Sequence, residues 1–279
     1  MGKISVVIVT YNRPKDVIET IESILHQSCK PLEIIVIDDC SNPQLNLKFA
    51  IENLRLIRFN KEAGLSSARN FGVKIAKGDY IAFIDDDAIA NKHWLEEIQK
   101  GIERGADILG GPLEPIYEVP PPRWWDEKLF GGYVGIGNIR KKYIYGANMV
   151  ISKEVFRRIG LFQPTIGRQK GKLLSYEEWD LFERAKRAGF SVLFMARAIV
   201  YHKVKRHRMT LKYLLKWAYY NGKSTKVLNR HRPLIMLAII KATFNIMHPR
   251  VIFSPKSFKI KKITTVVYLF GQLFSGITK

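Results

Sequence analysis

Tyr80-Ile81-Ala82-Phe83-Ile84 runs without a break into Asp85-Asp86-Asp87. An uninterrupted apolar run bounded by charge reads as a strand covered on both faces, as in parallel sheets. Its charged end must emerge where water or a ligand can meet it. Three adjacent carboxylates repel one another. Two explanations stand: an acidic, solvated strand end, or a site where a divalent cation removes the repulsion. Hard Mg2+ or Mn2+ prefers oxygen ligands and is often completed by substrate phosphates.

Outward from this run, the first half of the chain alternates strand-like and helix-like segments. Ile4–Val9 is apolar and β-branched, and Tyr11-Asn12-Arg13-Pro14 interrupts it. Val17, Ile21, Ile24 and Leu25 then recur at helical spacing. Glu33–Ile37 is a second buried strand that ends in Asp38-Asp39-Cys40-Ser41, and Leu54–Phe59 a third. Ser66–Ala76 reads as a helix entered through Gly64, and Asp79–Ile84 is the fourth strand. Such alternation with short connections predicts a mostly parallel α/β sheet with helices on its faces. Ligands of these sheets bind beyond the carboxyl ends of the strands. Tyr11-Asn12, Asp38-Asp39 and Asp85–Asp87 are therefore expected to share one rim.

The middle is less regular. Pro120-Pro121-Pro122 excludes a helix before Trp124-Trp125. The glycines of Gly131–Gly137 suggest a mobile segment. Tyr145–Ile151 reads as a strand, Glu154–Ile159 as a short helix, and Gln163–Ser175 as a polar, basic loop. A helix runs from about Tyr176 towards Gly189, followed by strands Ser191–Phe194 and Ala198–Tyr201, the latter ending at His202. Beyond it Leu211, Leu214, Leu215 and Ala218 share one helical face, away from Lys212, Lys216 and Lys223. The uncharged stretch Ile263–Thr278 is short for a transmembrane span. Interfacial binding and packing in a core both remain open for it.

Charge is unevenly spread. The chain carries a formal +21, yet residues 1–183 hold 25 acidic and 25 basic side chains, and residues 184–279 hold 21 basic ones and no carboxylate. That asymmetry points to an anionic membrane or a nucleic acid as partner. Only Cys29 and Cys40 occur, which excludes a disulfide framework and fits a reducing compartment. Met1-Gly2-Lys3 passes straight into a strand, which is not a signal-peptide pattern. The residues thus suggest two regions, 1–205 with the strand–helix alternation and the acidic rim, and 206–279 basic and helical.

Four motifs in order carry a resemblance: Ser5–Arg13, Ile37-Asp38-Asp39-Cys40-Ser41, Gly64-Leu65-Ser66-Ser67-Ala68-Arg69-Asn70, and Gly78-Asp79-Tyr80 leading to Asp85-Asp86-Asp87. Together they closely resemble glycosyltransferase family 2. The resemblance implies the GT-A (Rossmann-like) fold, inversion at the sugar, and a nucleotide-diphosphate sugar donor. It places Thr10, Tyr11, Asn12, Arg13 and Asp39 at the donor's base and ribose, with Arg69 near base and diphosphate. Asp39 would accept from a base N–H, which suits uracil and guanine alike. Asp85–Asp87 fill the DXD motif, Asp87 being the direct metal ligand, with Asp85 and Asp86 on ribose or a metal-bound water; Asp85 is also a candidate ligand. His202 matches a histidine near metal or diphosphate. Tyr145-Gly146-Ala147-Asn148 matches a segment lining the sugar cavity, so Asn148 joins the donor set or serves only a turn.

The acceptor base of the family is usually the Asp of a Glu-Asp pair at a helix start. Here Glu177-Glu178-Trp179-Asp180 stands there, a departure that makes Glu178 the first candidate, Glu177 the second and Asp180 the third. A bacterial and archaeal subgroup has Leu-Leu-Ser-Gly-Glu-Glu, against which Leu173–Glu178 changes only Gly to Tyr176. The alternative role for one of these carboxylates is to favour the helix dipole. Trp124, Trp125 and Trp179 could stack on sugars but more often belong to cores. The resulting expectation is a Mn2+- or Mg2+-dependent transferase at the inner face of the cell membrane, with a glycan or lipid-linked acceptor. The alternatives are a basic nucleic-acid-binding protein, for which no motif is present, and a catalytically silent membrane scaffold.

Overall fold

Two-faced apolar strands need cover on both sides, and they find it in the middle of a sheet. The computed structural model describes residues 2–47, 52–135, 143–169, 171–225 and 255–274. In it β1 (Ile4–Thr10) lies between β2 (Glu33–Asp38) and β4 (Tyr80–Asp85), with β3 (Leu54–Arg58) beyond β2, all parallel. On the other side of β4, β8 (Asn148–Ser152) runs antiparallel, followed by β6 (Ile108–Gly110) and β9 (Val192–Phe194). The order is β3-β2-β1-β4-β8-β6-β9. This is the mostly parallel α/β, GT-A arrangement that the sequence predicts.

Alternation along the strands feeds two cores. Val6 and Ile8 pack with Val17, Ile21 and Ile24 of α1 (Pro14–Leu25) and with Trp94, Leu95 and Ile98 of α3 (Trp94–Glu103). Val7 and Phe83 turn the other way, to Ala68 and Val73 of α2 (Leu65–Ile75), Phe156 of α5 (Lys153–Ile159) and Leu181 of α6 (Glu177–Arg187). Each fully buried aliphatic or Phe side chain contributes about 1.5–3 kcal/mol. In register, Thr10 lies opposite Asp38 and Val9 opposite Asp85, so β1, β2 and β4 end level with one another.

A second, three-stranded sheet has the order β5-β10-β7, from β5 (Ala88–Ala90), β10 (Val200–Val204) and β7 (Leu113–Tyr117). It corrects one expectation: His202 lies inside a strand, opposite Ala88, because backbone bonds from Lys203 N–H to the Asp87 carbonyl and from Glu118 N–H to the Val204 carbonyl carry the strand on to Val204. The expected strand Tyr145–Ile151 begins only at Asn148.

The described residues divide into two compact units. One comprises the ranges Met1–Ile116, Gly135–Thr165 and Glu177–Lys203, and carries the seven-stranded sheet. The other comprises Tyr117–Val134, Ile166–Tyr176 and Val204–Lys279. In this second unit α7 (Leu211–Ser224) packs on α8 (Lys256–Phe274). Leu214 and Ala218 are buried on α7, but Leu211, expected on the same face, is exposed in the first turn. Phe130 of α4 (Glu127–Phe130), Leu214 and Ile260 form a small core edged by Trp124, Trp125 and Tyr133. The two tryptophans are thus core-edge residues. Residues 136 and 137 of the glycine-bearing segment, and 275–278 of the uncharged stretch, lie outside the described residues. Among the described residues no helix is long and apolar enough to cross a membrane.

The α7–α8 contact depends on two glycines. A Cβ on Gly222 would lie 1.9 Å from the Tyr268 carbonyl oxygen, and one on Gly271 2.0 Å from that of Tyr219. Gly222→Ala must push the backbones apart and should cost about 2 kcal/mol. Urea unfolding followed by tryptophan fluorescence checks this, since Trp217 lies on α7.

Candidate active site

The level ends of β1, β2 and β4 turn sharply to form the expected rim. Asn12 and Cys40 take positive φ of 55° and 69°, and the turns are tied together where Asn12 N–H donates to Ser41 Oγ and Asn42 N–H to Asn12 Oδ1. Tyr11 stays 43% exposed at this edge. Asp39 is buried, and its two oxygens accept from the backbone N–H of Ala63 (2.7 Å) and Gly64 (2.9 Å). Burial raises its pKa against the pull of these N–H groups. A carboxylate has further lone pairs, so Asp39 can still accept from a ligand.

Asp86 and Asp87 are buried, and Asp85 stands a third exposed. Arg13 reaches both buried ones through Nη1, at 2.7 Å from Asp86 and 2.8 Å from Asp87. Thr10 Oγ1 donates to Asp86 at 2.8 Å. Burial pushes the Asp86 carboxyl up to about 6, with Arg13 opposing and Asp87 adding to the rise. Arg13 itself, a third exposed, is held charged by Asp86 and Asp87 against the cost of its partial burial. His202 Nε2 lies 3.3 Å from Asp87. Ligand atoms of Asp85, Asp87 and His202 all lie within 4.8 Å of one another.

Arg69 joins this cluster to the start of α6. It is buried, not a surface residue, and bonds Asp85 at 3.0 Å, Glu177 at 2.9 Å and the Gly146 carbonyl at 3.2 Å. Gly146 permits the approach, because a Cβ there would sit 3.0 Å from the guanidinium. Beside Glu177, Glu178 is half-buried with its Oε2 sealed from solvent and without a hydrogen-bond partner. Its carboxyl is pushed up to about 8, first by burial and then by the Glu177 charge, with Arg69 opposing.

Two expected residues are not part of this cluster. Asn148 is fully buried; it accepts from Trp94 Nε1 and donates to the carbonyls of Pro112 and Ala198. Asp180 pairs with Arg184, which also donates to the carbonyls of Ile159 and Leu161. Both are committed to holding elements together. One contributor went unread in the sequence: Thr20 Oγ1 lies 2.7 Å and 3.0 Å from the carbonyls of Ala88 and Asp86, anchoring the acidic turn from α1. A lone buried threonine on a helix gives no sequence signal.

The pattern for the family described as glycosyl transferase family 2 matches residues 5–160, more than half of the chain. The chain belongs to glycosyl transferase family 2. Over 246 residues it is 28% identical to a glucosyl-dolichyl phosphate glucuronosyltransferase of Haloferax volcanii, covering 81% of this chain and 77% of that protein. It is 30% identical to an uncharacterised glycosyltransferase of Bacillus subtilis, over 66% of this chain and 68% of the other. A succinoglycan biosynthesis protein of Rhizobium meliloti is 26% identical, over 79% and 73%. The matched family region contains the rim and Arg69, while Glu177, Glu178 and His202 lie beyond it.

For a family 2 glycosyltransferase, the donor set of two carboxylates and an imidazole fits a divalent cation. His202 Nδ1 is buried without a partner, and the ring packs against Gly135, where a Cβ would lie 3.1 Å from Cε1. The ring is thereby held with Nε2 towards Asp87.

Arg13→Ala removes a counter-charge from two buried carboxylates. The guanidinium is a third exposed, which trims the cost of breaking a buried pair to about 2 kcal/mol. Mn2+ should raise the melting temperature of this variant more than that of wild type. Equal shifts in a thermal melt would contradict the cluster's role in cation binding.

The raised Glu178 carboxyl has a consequence for stability. Its folded value lies above the ordinary one, so it favours the fold only while protonated. That contribution is complete below about pH 4 and is lost as pH rises towards 8. Glu178→Gln should therefore melt with wild type in acid and above it in alkali, as read by differential scanning calorimetry.

Proposed function

We propose that this chain is a metal-dependent, inverting glycosyltransferase that moves a sugar from a UDP- or GDP-sugar to a hydroxyl of a lipid-linked or cell-surface glycan. The observation that carries this reading is that one arginine, Arg69, links the Asp85–Asp87–His202 cluster to the Glu177–Glu178 pair. This link supports reading the candidate cation ligands and the candidate base as parts of one site, as a displacement at a sugar carbon requires.

In this reading the exposed Tyr11, with Thr10, Asn12, Arg13 and Asp39, receives the nucleoside, Asp39 accepting from a base N–H. Asp87, Asp85 and His202 would hold Mn2+ or Mg2+, which supplies Lewis-acid stabilisation of the charge on the leaving diphosphate. Arg69 adds a fixed positive charge beside it. Glu178 takes the acceptor hydroxyl proton while the acceptor oxygen bonds to the anomeric carbon. The bond from that carbon to the phosphate oxygen breaks, and the nucleoside diphosphate departs with the electron pair. A single displacement from the opposite face inverts the centre. The raised carboxyl of Glu178 makes it a stronger base than an ordinary glutamate.

A lipid-linked acceptor is favoured by the relative named as acting on glucosyl-dolichyl phosphate. The catalytic region 1–205 would then work at the cytoplasmic face of the membrane, with the basic region 206–279 against it.

Release of UDP or GDP from a panel of donor sugars with Mn2+ tests the assignment. Asp87→Asn and Glu178→Gln should each lower turnover by about a hundredfold or more. In wild type, activity should fall as pH drops below the raised Glu178 value, and Glu178→Gln should lose that acid limb. Turnover that survives both substitutions would refute the site.

A further inference from the structure

We infer that the outward face of α8 is an in-plane docking surface for an anionic phospholipid bilayer. The inference deepens the proposed function by naming the partner surface, and it rests on that reading only for the reason a bilayer would be nearby.

The helix has two unlike sides. Ile260, Thr264, Gly271 and Gln272 are buried, with Ile260 in the small core beside Phe130 and Leu214. Lys261 is drawn to the same side, where its Nζ donates to the Tyr133 hydroxyl at 2.8 Å. Backbone contact at Gly222 and Gly271 fixes this side against α7, so the helix cannot roll to hide the other.

The other side carries Phe258, Lys259, Lys262, Ile263 and Val266, spaced as one helical face. Phe258 and Ile263 are each 38% exposed, and Lys262 Nζ lies 5.2 Å from the centre of the Phe258 ring. Apolar side chains interleaved with lysines on one helical face match the headgroup boundary of a bilayer, where rings and aliphatic chains enter the acyl edge and ammonium groups stay with phosphates.

Charge complementarity selects the occupant. Residues 184–279 hold no carboxylate, so no acidic side chain of that region opposes an anionic surface. A second copy would bring the same cations and be repelled. A nucleic acid would satisfy the lysines but leave Phe258 and Ile263 without gain. With Lys256, Lys259, Lys261 and Lys262 in its first two turns, α8 itself suits adsorption in the plane rather than crossing.

Flotation of the full chain with vesicles tests this, without donor present. Binding is expected to vesicles of mixed zwitterionic and anionic phospholipid and not to purely zwitterionic ones. Lys259→Gln/Lys262→Gln should weaken it about 25-fold, each lysine at an anionic surface giving about fivefold. Phe258→Ser/Ile263→Ser should weaken it about tenfold or more while leaving donor hydrolysis unchanged. Binding unaffected by either pair, or equal binding to both vesicle types, would overturn the proposal. Tighter binding to single-stranded RNA than to anionic vesicles, untouched by Phe258→Ser/Ile263→Ser, would also overturn it. Hydrolysis measured without vesicles reports on the active site separately, so failure of one reading is not mistaken for failure of the other.

Discussion

Mutual repulsion among carboxylates governs this molecule. Asp39, Asp86, Asp87 and Glu177 are all buried at or near one edge of the sheet, and Asp85 and Glu178 stand beside them. Left alone, such charges would protonate or drive the strand ends apart. Two arginines from distant parts of the chain prevent this. Arg13 holds Asp86 and Asp87, while Arg69 holds Asp85 and Glu177. Backbone N–H groups of Ala63 and Gly64 hold Asp39. The compensation is incomplete, as the raised carboxyls of Asp86 and Glu178 show. An incoming cation is the natural complement of what remains.

Strand geometry decides which carboxylates are kept for the site. Asp38 and Asp39 are neighbours, and successive side chains of a strand point to opposite faces. Asp38 is fully buried and bonds Ser41 N–H, Leu45 N–H and Arg58, contacts that lower its pKa despite the cost of burial. It closes the turn. Asp39 faces the start of α2 and keeps spare acceptor capacity at the rim.

The sequence makes legible whatever rests on continuous patterns. β1, β2 and β4 are apolar on both faces, so their order and their shared rim are legible in the sequence alone. The three-residue strands β5 and β6 are too short to carry a period, and β10 runs past His202 because backbone bonds from Lys203 N–H to the Asp87 carbonyl and from Glu118 N–H to the Val204 carbonyl extend it. Leu211 fits the helical stripe of α7 but lies in its first turn, where nothing covers it enough for burial. Asn148 sits in a motif that lines a cavity in relatives by resemblance, yet its amide is consumed by Trp94 and two carbonyls. Those are contacts across the fold, with sequence separations that no local pattern encodes. Arg13 stood in a recognised motif, but its grip on Asp86 and Asp87 likewise required the fold.

The start of α6 concentrates features that a merely stable protein would avoid. Tyr176 takes φ of 77°, a conformation that favours glycine, at the one position where Leu173–Glu178 departs from the Gly-containing subgroup pattern. Glu177 and Glu178 follow it, each with Oε2 buried and without a hydrogen-bond partner. The positive end of the helix dipole favours their charge, though by no more than about 1–2 kcal/mol. That is too little to offset a buried and a half-buried carboxylate side by side, in keeping with the raised carboxyl of Glu178. Arg69 neutralises Glu177 directly and reaches Glu178 only through space. The two glutamates are therefore not equivalent: one is locked in an ion pair, the other is left basic and unsatisfied. A group in the second condition is costly to fold, and in the proposed reaction it is the one that takes the acceptor proton.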